Sequence, residues 1–257
     1  MSQTDNILTS ESNIKQHSII KSIVLHLLPG ILIVIFYTIF APIFERNGIP
    51  PMLALLCAIA VILIPFQLGL LLYKGRKKNG KLSLKGIVVY RKPVRAWQYI
   101  VISLPLLIWG ILIFFLVAPQ IDKYLLSNIY FWLPEWFNIS NFTNNMEQYS
   151  RGSLLLTGIL LIILNGILGP VVEELYFRGY LLPRISRLKG WAPLLNVVLF
   201  SIYHFFTPWQ NIVRILAMLP MGYAVWWKKN IYIGIIVHCL INIISSVFVF
   251  VAILSFI

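Results

Sequence analysis

The sequence predicts an all-α fold, a polytopic transmembrane helical bundle. Three observations predict it. Hydrophobic residues make up 59% of the chain and charged residues only 11%, against about 25% charged in a soluble domain; mean hydropathy is +0.85. The apolar residues gather into runs close to the roughly 20 residues a helix needs to cross a bilayer. The basic residues fall almost entirely in the segments between those runs.

Residues 1–17 are polar and read as a cytoplasmic tail, which leaves 18–257 as a single membrane-embedded helical domain. The first span is expected over 19–43, broken by Pro29-Gly30. It is too long for the apolar region of a signal peptide and lacks a small-residue cleavage pattern, so no cleavable leader is expected. The second covers 51–73, with Pro65 inside it, and the third 98–118. The fourth covers 153–183, where Gly169-Pro170 should kink the helix or start a fresh segment. Spans five to seven follow at 191–206, 209–227 and 231–257. This makes seven, or eight if the aromatic stretch 121–137 dips into the membrane. Cys57 and Cys239 both lie in apolar runs, which argues against a structural disulfide.

Orientation follows from the cations. Segment 74–95 holds nine Lys and Arg and no acid; Lys15, Lys21, Arg184, Arg187, Lys189, Lys228 and Lys229 fall on the same side. The other side has Arg46, Lys123 and Arg151. The positive-inside rule then puts the N-terminus in the cytoplasm and the C-terminus outside. The formal charge of +13 reads as a topology signal and an anionic-lipid contact. It does not point to nucleic acid, because no folded basic domain exists to carry it. The outer loop 119–150 is rich in Tyr, Trp and Phe and reads as an interfacial belt, or alternatively as a cover over a substrate entrance. Asn138 and Asn141 each begin a glycosylation pattern that matters only in a eukaryotic secretory pathway.

The segment about 153–246 carries the chemistry. Ser153 to Val172 contains no charge, and Glu173-Glu174 follows at once, two of only eight acids in the chain. Ionisable groups at that depth face the bundle interior and take partners. Arg178 is one turn after Glu174, so a Glu174–Arg178 pair is the local solution. Glu173 points about 100° away and needs a partner from another helix. Span five contains Phe200 and His204; span seven contains His238 and Asn242, four apart on one face. At 1.5 Å per residue, Glu173, His204 and His238 lie roughly 14–21 Å below the basic face, and Asn242 about 6 Å beyond His238. Four polar groups from three spans thus converge in one slab, and are expected to line one cavity opening toward the cytoplasm or inner leaflet.

A carboxylate with imidazoles can activate water, and an imidazole or an Asn amide can donate to an oxyanion. That set suffices for peptide hydrolysis without a cofactor. Glu173, His204 and His238 could instead hold Zn²⁺ with an open fourth position, although the HExxH pattern is absent. His26, Gln67, Asn165, Asn196 and Arg214 read as helix–helix hydrogen bonds or interfacial snorkels, with Asn165 and Asn196 as the exceptions that would support the site.

Glu173-Glu174-x-x-x-Arg178, Phe200-x-x-x-His204 and His238-x-x-x-Asn242 resemble the three motifs of the CAAX-protease and bacteriocin-processing family, also called CPBP or Abi. The resemblance covers about 154–246. It implies an intramembrane glutamic endopeptidase in which Glu173 and His204 activate water, His238 and Asn242 stabilise the oxyanion, and Glu174 and Arg178 support them. Metal-free chemistry is expected. The partners implied are the lipid bilayer and a peptide or protein substrate at or in the membrane, such as a pheromone, a bacteriocin or a lipid-proximal chain. The Ile-, Lys- and Asn-rich composition suggests a bacterial cell membrane. Two other classes compete: a non-catalytic immunity or scaffold protein of the same fold, and an ion-coupled transporter.

Overall fold

In the computed structural model of the chain, residues 14–139 and 141–257 are described. Most of the expected tail therefore lies outside the described residues, as does Ser140 of the first glycosylation pattern. Seven helical rods follow one another among the described residues. We number them α1 Ile19–Arg46, α2 Pro51–Asn79, α3 Ala96–Asn128, α4 Arg151–Leu188, α5 Trp191–Ile202, α6 Asn211–Lys228 and α7 Ile231–Phe256. Five of them, α1 to α4 and α7, are long and apolar enough to cross a membrane. The protein is an all-α membrane bundle.

The seven expected spans all appear as helix, but α5 and α6 are not among the five long and apolar enough to cross, and two boundaries differ. α3 runs on to Asn128, so the start of the aromatic stretch continues span three and does not form an eighth crossing. α5 stops at Ile202 after 12 residues, about 18 Å, too short to cross. His204 therefore sits on the turn beyond α5 and not inside a helix. The stop coincides with a close approach: a Cβ placed on Gly30 would lie 1.9 Å from the Tyr203 carbonyl oxygen. Glycine at 30 lets α1 lie against the end of α5.

α4 is the least regular rod. It changes to π-helical turns at Leu161–Leu168, returns to α at Gly169–Glu173, is π again over Glu174–Leu181 and ends in 3₁₀ turns. Such turns misalign the carbonyl ladder, and in an apolar interior the displaced carbonyls need donors. α7 supplies them. Asn242 Nδ2 donates to Asn165 O at 2.9 Å, and Ser246 Oγ to Leu161 O at 3.3 Å. The expected irregularity at Gly169-Pro170 is thus one part of a longer distortion.

The basic segment 80–95 folds back over one end of the bundle. Val89 N–H donates to Gly179 O, Lys92 N–H to Lys229 O, Ile231 N–H to Tyr90 O, and Arg184 to Ile87 O. His17 N–H donates to Arg184 O at the same end. The cations that the sequence assigned to one side are therefore gathered at one end. At the opposite end, Tyr37 OH donates to Trp136 O at 2.7 Å, and Phe137 and Tyr130 pack edge-on against buried Trp209. The outer aromatics divide: Phe137 is buried, whereas Tyr124, Phe131 and Trp132 are exposed.

Two predictions follow from these contacts. Gly30→Ala drives a methyl into the Tyr203 carbonyl and should cost about 1–3 kcal/mol; the thermal midpoint of purified protein should fall, and an unchanged midpoint would disprove the contact. His17 is buried beside Lys21, Arg184 and Lys74, and burial followed by these charges pushes its pKa down from 6.5 to about 4. The undocked segment binds the proton more tightly than the docked one, so docking loses stability as pH falls from about 6.5 toward 4. Hydrogen exchange over residues 14–18, corrected for its intrinsic pH dependence, should speed up across that window.

Candidate active site

The site assembles on α4 around Glu173, at the turn following α5, and on α7. Glu173, Glu174 and Arg178 are all buried, as is His238. Arg178 Nη1 lies 3.1 Å from Glu174 Oε1, as the four-residue spacing requires, and its guanidinium stacks 4.0 Å from the Phe200 ring centroid. Glu174 has a second role that the local pairing does not predict. Its Oε1 is also 3.0 Å from His238 Nδ1, so the carboxylate is shared between α4's own cation and an imidazole on α7. Gly234 makes this possible, since a Cβ there would come within 2.5 Å of Glu174 Oε2.

Glu173 finds its partners on other elements. Tyr203 OH donates to Oε1. His204 Nε2 is 3.9 Å from Oε1, and His238 Nε2 is 3.8 Å from Oε2. Those separations are beyond direct hydrogen bonding. The ring orientations are fixed from behind. His204 Nδ1 is 2.8 Å from Phe200 O; a carbonyl only accepts, so Nδ1 carries a proton, and in the neutral tautomer Nε2 presents its lone pair toward Glu173. His238 Nδ1, 3.0 Å from the Glu174 carboxylate, likewise carries a proton toward its acceptor.

Glu173, His204, His238 and Asn242 line one cavity of about 360 Å³, together with Asn165, Tyr203, Thr207, Gln210 and Arg214. Its apolar wall is the α2 face Met52 to Leu63 with Phe114, Phe115 and Ile139. The lining corrects one expectation. It extends from Glu173 toward Met52, Ile139 and Gln210, the end opposite the basic segment, and not toward the basic end. Tyr176, Phe177, Tyr180 and Leu181, all buried, fill the space on the basic side.

Tyr203 and Arg214 have roles that the sequence does not predict, whereas Asn165 and Asn196 support the site as expected. Tyr203 carries no periodic signal and reaches Glu173 only because α5 ends before it. Arg214 is buried, so it is not a snorkel; it makes the expected helix–helix hydrogen bond, to Ser201 O on α5, and in addition lines the cavity. Asn165 supports the site through its backbone, holding Asn242. Asn196 donates from Nδ2 to Phe177 O at 3.0 Å and lies 2.9 Å from His26 Nε2, joining α1, α4 and α5.

Among the described residues, no group of three His, Cys, Asp or Glu side chains is arranged to hold a metal ion. The two imidazole–carboxylate separations exceed the roughly 3.3 Å between ligands 2.0–2.1 Å from one tetrahedral ion.

The fold and this cluster define a class, an integral membrane bundle with a buried carboxylate flanked by two oriented imidazoles. Comparison with known families places it more narrowly. Residues 155–244, the segment that holds all three motifs, match the family described as Rce1-like, type II CAAX prenyl endopeptidase. Neither the curated proteins nor the solved structures give a match.

Removing the cation that pairs with Glu174 tests the geometry. Arg178→Ala leaves Glu174 buried without its counter-charge, a loss of about 3–5 kcal/mol. The yield of folded protein in membranes should fall. Normal yield and melting would show that the pair is solvated.

Proposed function

We propose that the protein is an intramembrane glutamic-type endopeptidase that hydrolyses a peptide bond with water activated by Glu173 and His204. The observation that carries this reading is the separation of Glu173 from both imidazoles, 3.9 and 3.8 Å, too long for direct bonds and suited to a water or carbonyl between them. In this reading the Glu173 carboxylate takes a proton from water while the Nε2 of His204 accepts from the same molecule. Tyr203 holds the carboxylate in register. The oxygen attacks the scissile carbonyl, and the developing oxyanion is met by the second N–H of Asn242, whose first is used on Asn165 O, and by His238 Nε2–H, the ring carrying a proton on each nitrogen in this step with Glu174 as the counter-charge of Nδ1–H. Glu173 then delivers its proton to the leaving amine. Glu174 and Arg178 position His238 and do not touch substrate.

The substrate is a peptide or protein at or in the membrane, of the pheromone, bacteriocin or lipid-proximal kind. No cofactor and no nucleic acid take part. The basic end faces the cytoplasm of a bacterial cell, with the N-terminus on that side.

Glu173→Gln keeps the shape and hydrogen bonds of the side chain but cannot take a proton from water. Turnover of a quenched fluorogenic peptide pool by purified protein in liposomes should fall at least about a hundredfold, with the melting temperature unchanged. Wild-type turnover in this variant would remove the general-base role. Chelator treatment decides the cofactor question: a Zn²⁺ enzyme loses activity and regains it with added zinc, whereas the metal-free reaction is insensitive.

A further inference from the structure

The cavity contains a cation that the hydrolytic chemistry does not use. Arg214 is 7% exposed and lines the same space as Glu173. Four neutral oxygens surround its guanidinium. Nη2 donates to Thr207 Oγ1 at 2.9 Å and Gln210 Oε1 at 3.3 Å; Nη1 donates to Asn211 Oδ1 at 3.2 Å and Ser201 O at 3.4 Å. Among the described residues, no carboxylate comes within 4.0 Å of it. Asp122 is linked only through the Gln210 amide, whose Nε2 donates to Asp122 Oδ2 at 3.1 Å.

A guanidinium ringed by neutral acceptors is hydrogen-bonded but has no carboxylate in contact; Glu173 and Asp122 act on it only from a distance. Buried charges ordinarily carry a counter-ion, since the desolvation of an uncompensated one is large. Arg178, one helix away, follows that rule with Glu174. A tie between α5 and α6 needs only a neutral amide, so the charge itself calls for a reason. The planar fork is the geometry that matches a carboxylate, and the apolar face Met52 to Leu63 on the opposite wall suits the side chains of an apolar peptide.

We propose that Arg214 is a specificity-determining residue that binds a carboxylate of the substrate, placed within the cavity a short distance from the scissile bond. This rests on the peptidase reading for its meaning, but the binding itself does not require cleavage. The carboxylate has two sources, the free C-terminus of a peptide or an acidic side chain near the cut.

Binding separates them and is independent of turnover. The full-length Glu173→Gln protein in nanodiscs is titrated with three dansylated probes: an apolar tripeptide acid, its C-terminal amide, and the amide with glutamate at the middle position. The acid should bind at least about tenfold more tightly than the plain amide, the difference expected of one charged hydrogen-bonded pair. If the glutamyl amide also binds tightly, side-chain carboxylates serve as well; if it alone does, they are the ligand. Adding Arg214→Gln should abolish the discrimination and leave amide binding unchanged, and Arg214→Lys should retain part of it. Equal binding of all three probes, binding of none, or equal weakening of all three by Arg214→Gln would overturn the proposal and reduce Arg214 to a tie between helices. A loss of turnover in Glu173→Gln alone says nothing about this residue, so the two readings fail separately.

Discussion

The Glu174–Arg178 pair is the constraint on which the rest of the site depends. Two opposite charges buried one turn apart would be costly anywhere in an apolar bundle, and here each does a second task. Glu174 Oε1, already 3.1 Å from Arg178, also receives His238 Nδ1 from α7. Arg178 lies over the Phe200 ring, and Phe200 offers its backbone carbonyl to His204 Nδ1. Both imidazoles are thereby oriented from behind by one ion pair, and both turn Nε2 toward Glu173. The acidic doublet divides its labour by rotation along the helix: Glu174 is enclosed by charge and Glu173 is left facing the cavity.

Some of this was legible because it depends on arithmetic along the chain. The Glu174–Arg178 contact follows from four-residue spacing, and the convergence of Glu173, His204 and His238 follows from counting depth. The resemblance to the CAAX-protease motifs adds the order of those groups. The remainder depends on tertiary packing and has no one-dimensional sign. A carboxylate oxygen can serve two donors, so pairing Glu174 with Arg178 did not reveal His238. Tyr203 reaches Glu173 because α5 unwinds where the Gly30 backbone meets it, a contact between residues 173 positions apart in sequence. The same unwinding moves His204 off the helix on which its spacing from Phe200 had placed it.

The π-helical turns of α4 show how far the distortion is built in. In lipid, a carbonyl freed from its ladder must be met by a donor. Asn242, Ser246 and the weak donor Cys239, whose Sγ is 3.8 Å from Ile167 O, lie along one side of α7 and meet Asn165, Leu161 and Ile167. The polar residues of α7 thus serve the backbone of α4 as well as the site. This explains why Asn242 has one N–H engaged at rest. It also explains why α7 can carry polar groups so deep at low cost, since each replaces a hydrogen bond that α4 lacks.

The cavity is filled on one side of Glu173 and lined on the other. Tyr176, Phe177 and Tyr180 pack edge-on and stacked toward the basic end, and Phe177 packs against Phe200 and Tyr203. Hydrogen-bonding groups on the other side come from Thr207, Gln210, Asn242 and Ser245. Water that reaches Glu173 therefore has partners along the route from Gln210 and Ser245 and none through the aromatic packing. The same packing keeps the surroundings of the Glu174–Arg178 pair at low dielectric, where charge–charge attraction is strongest. Access and electrostatic strength are thus placed on opposite faces of one helix turn, with Glu173 at the boundary between them.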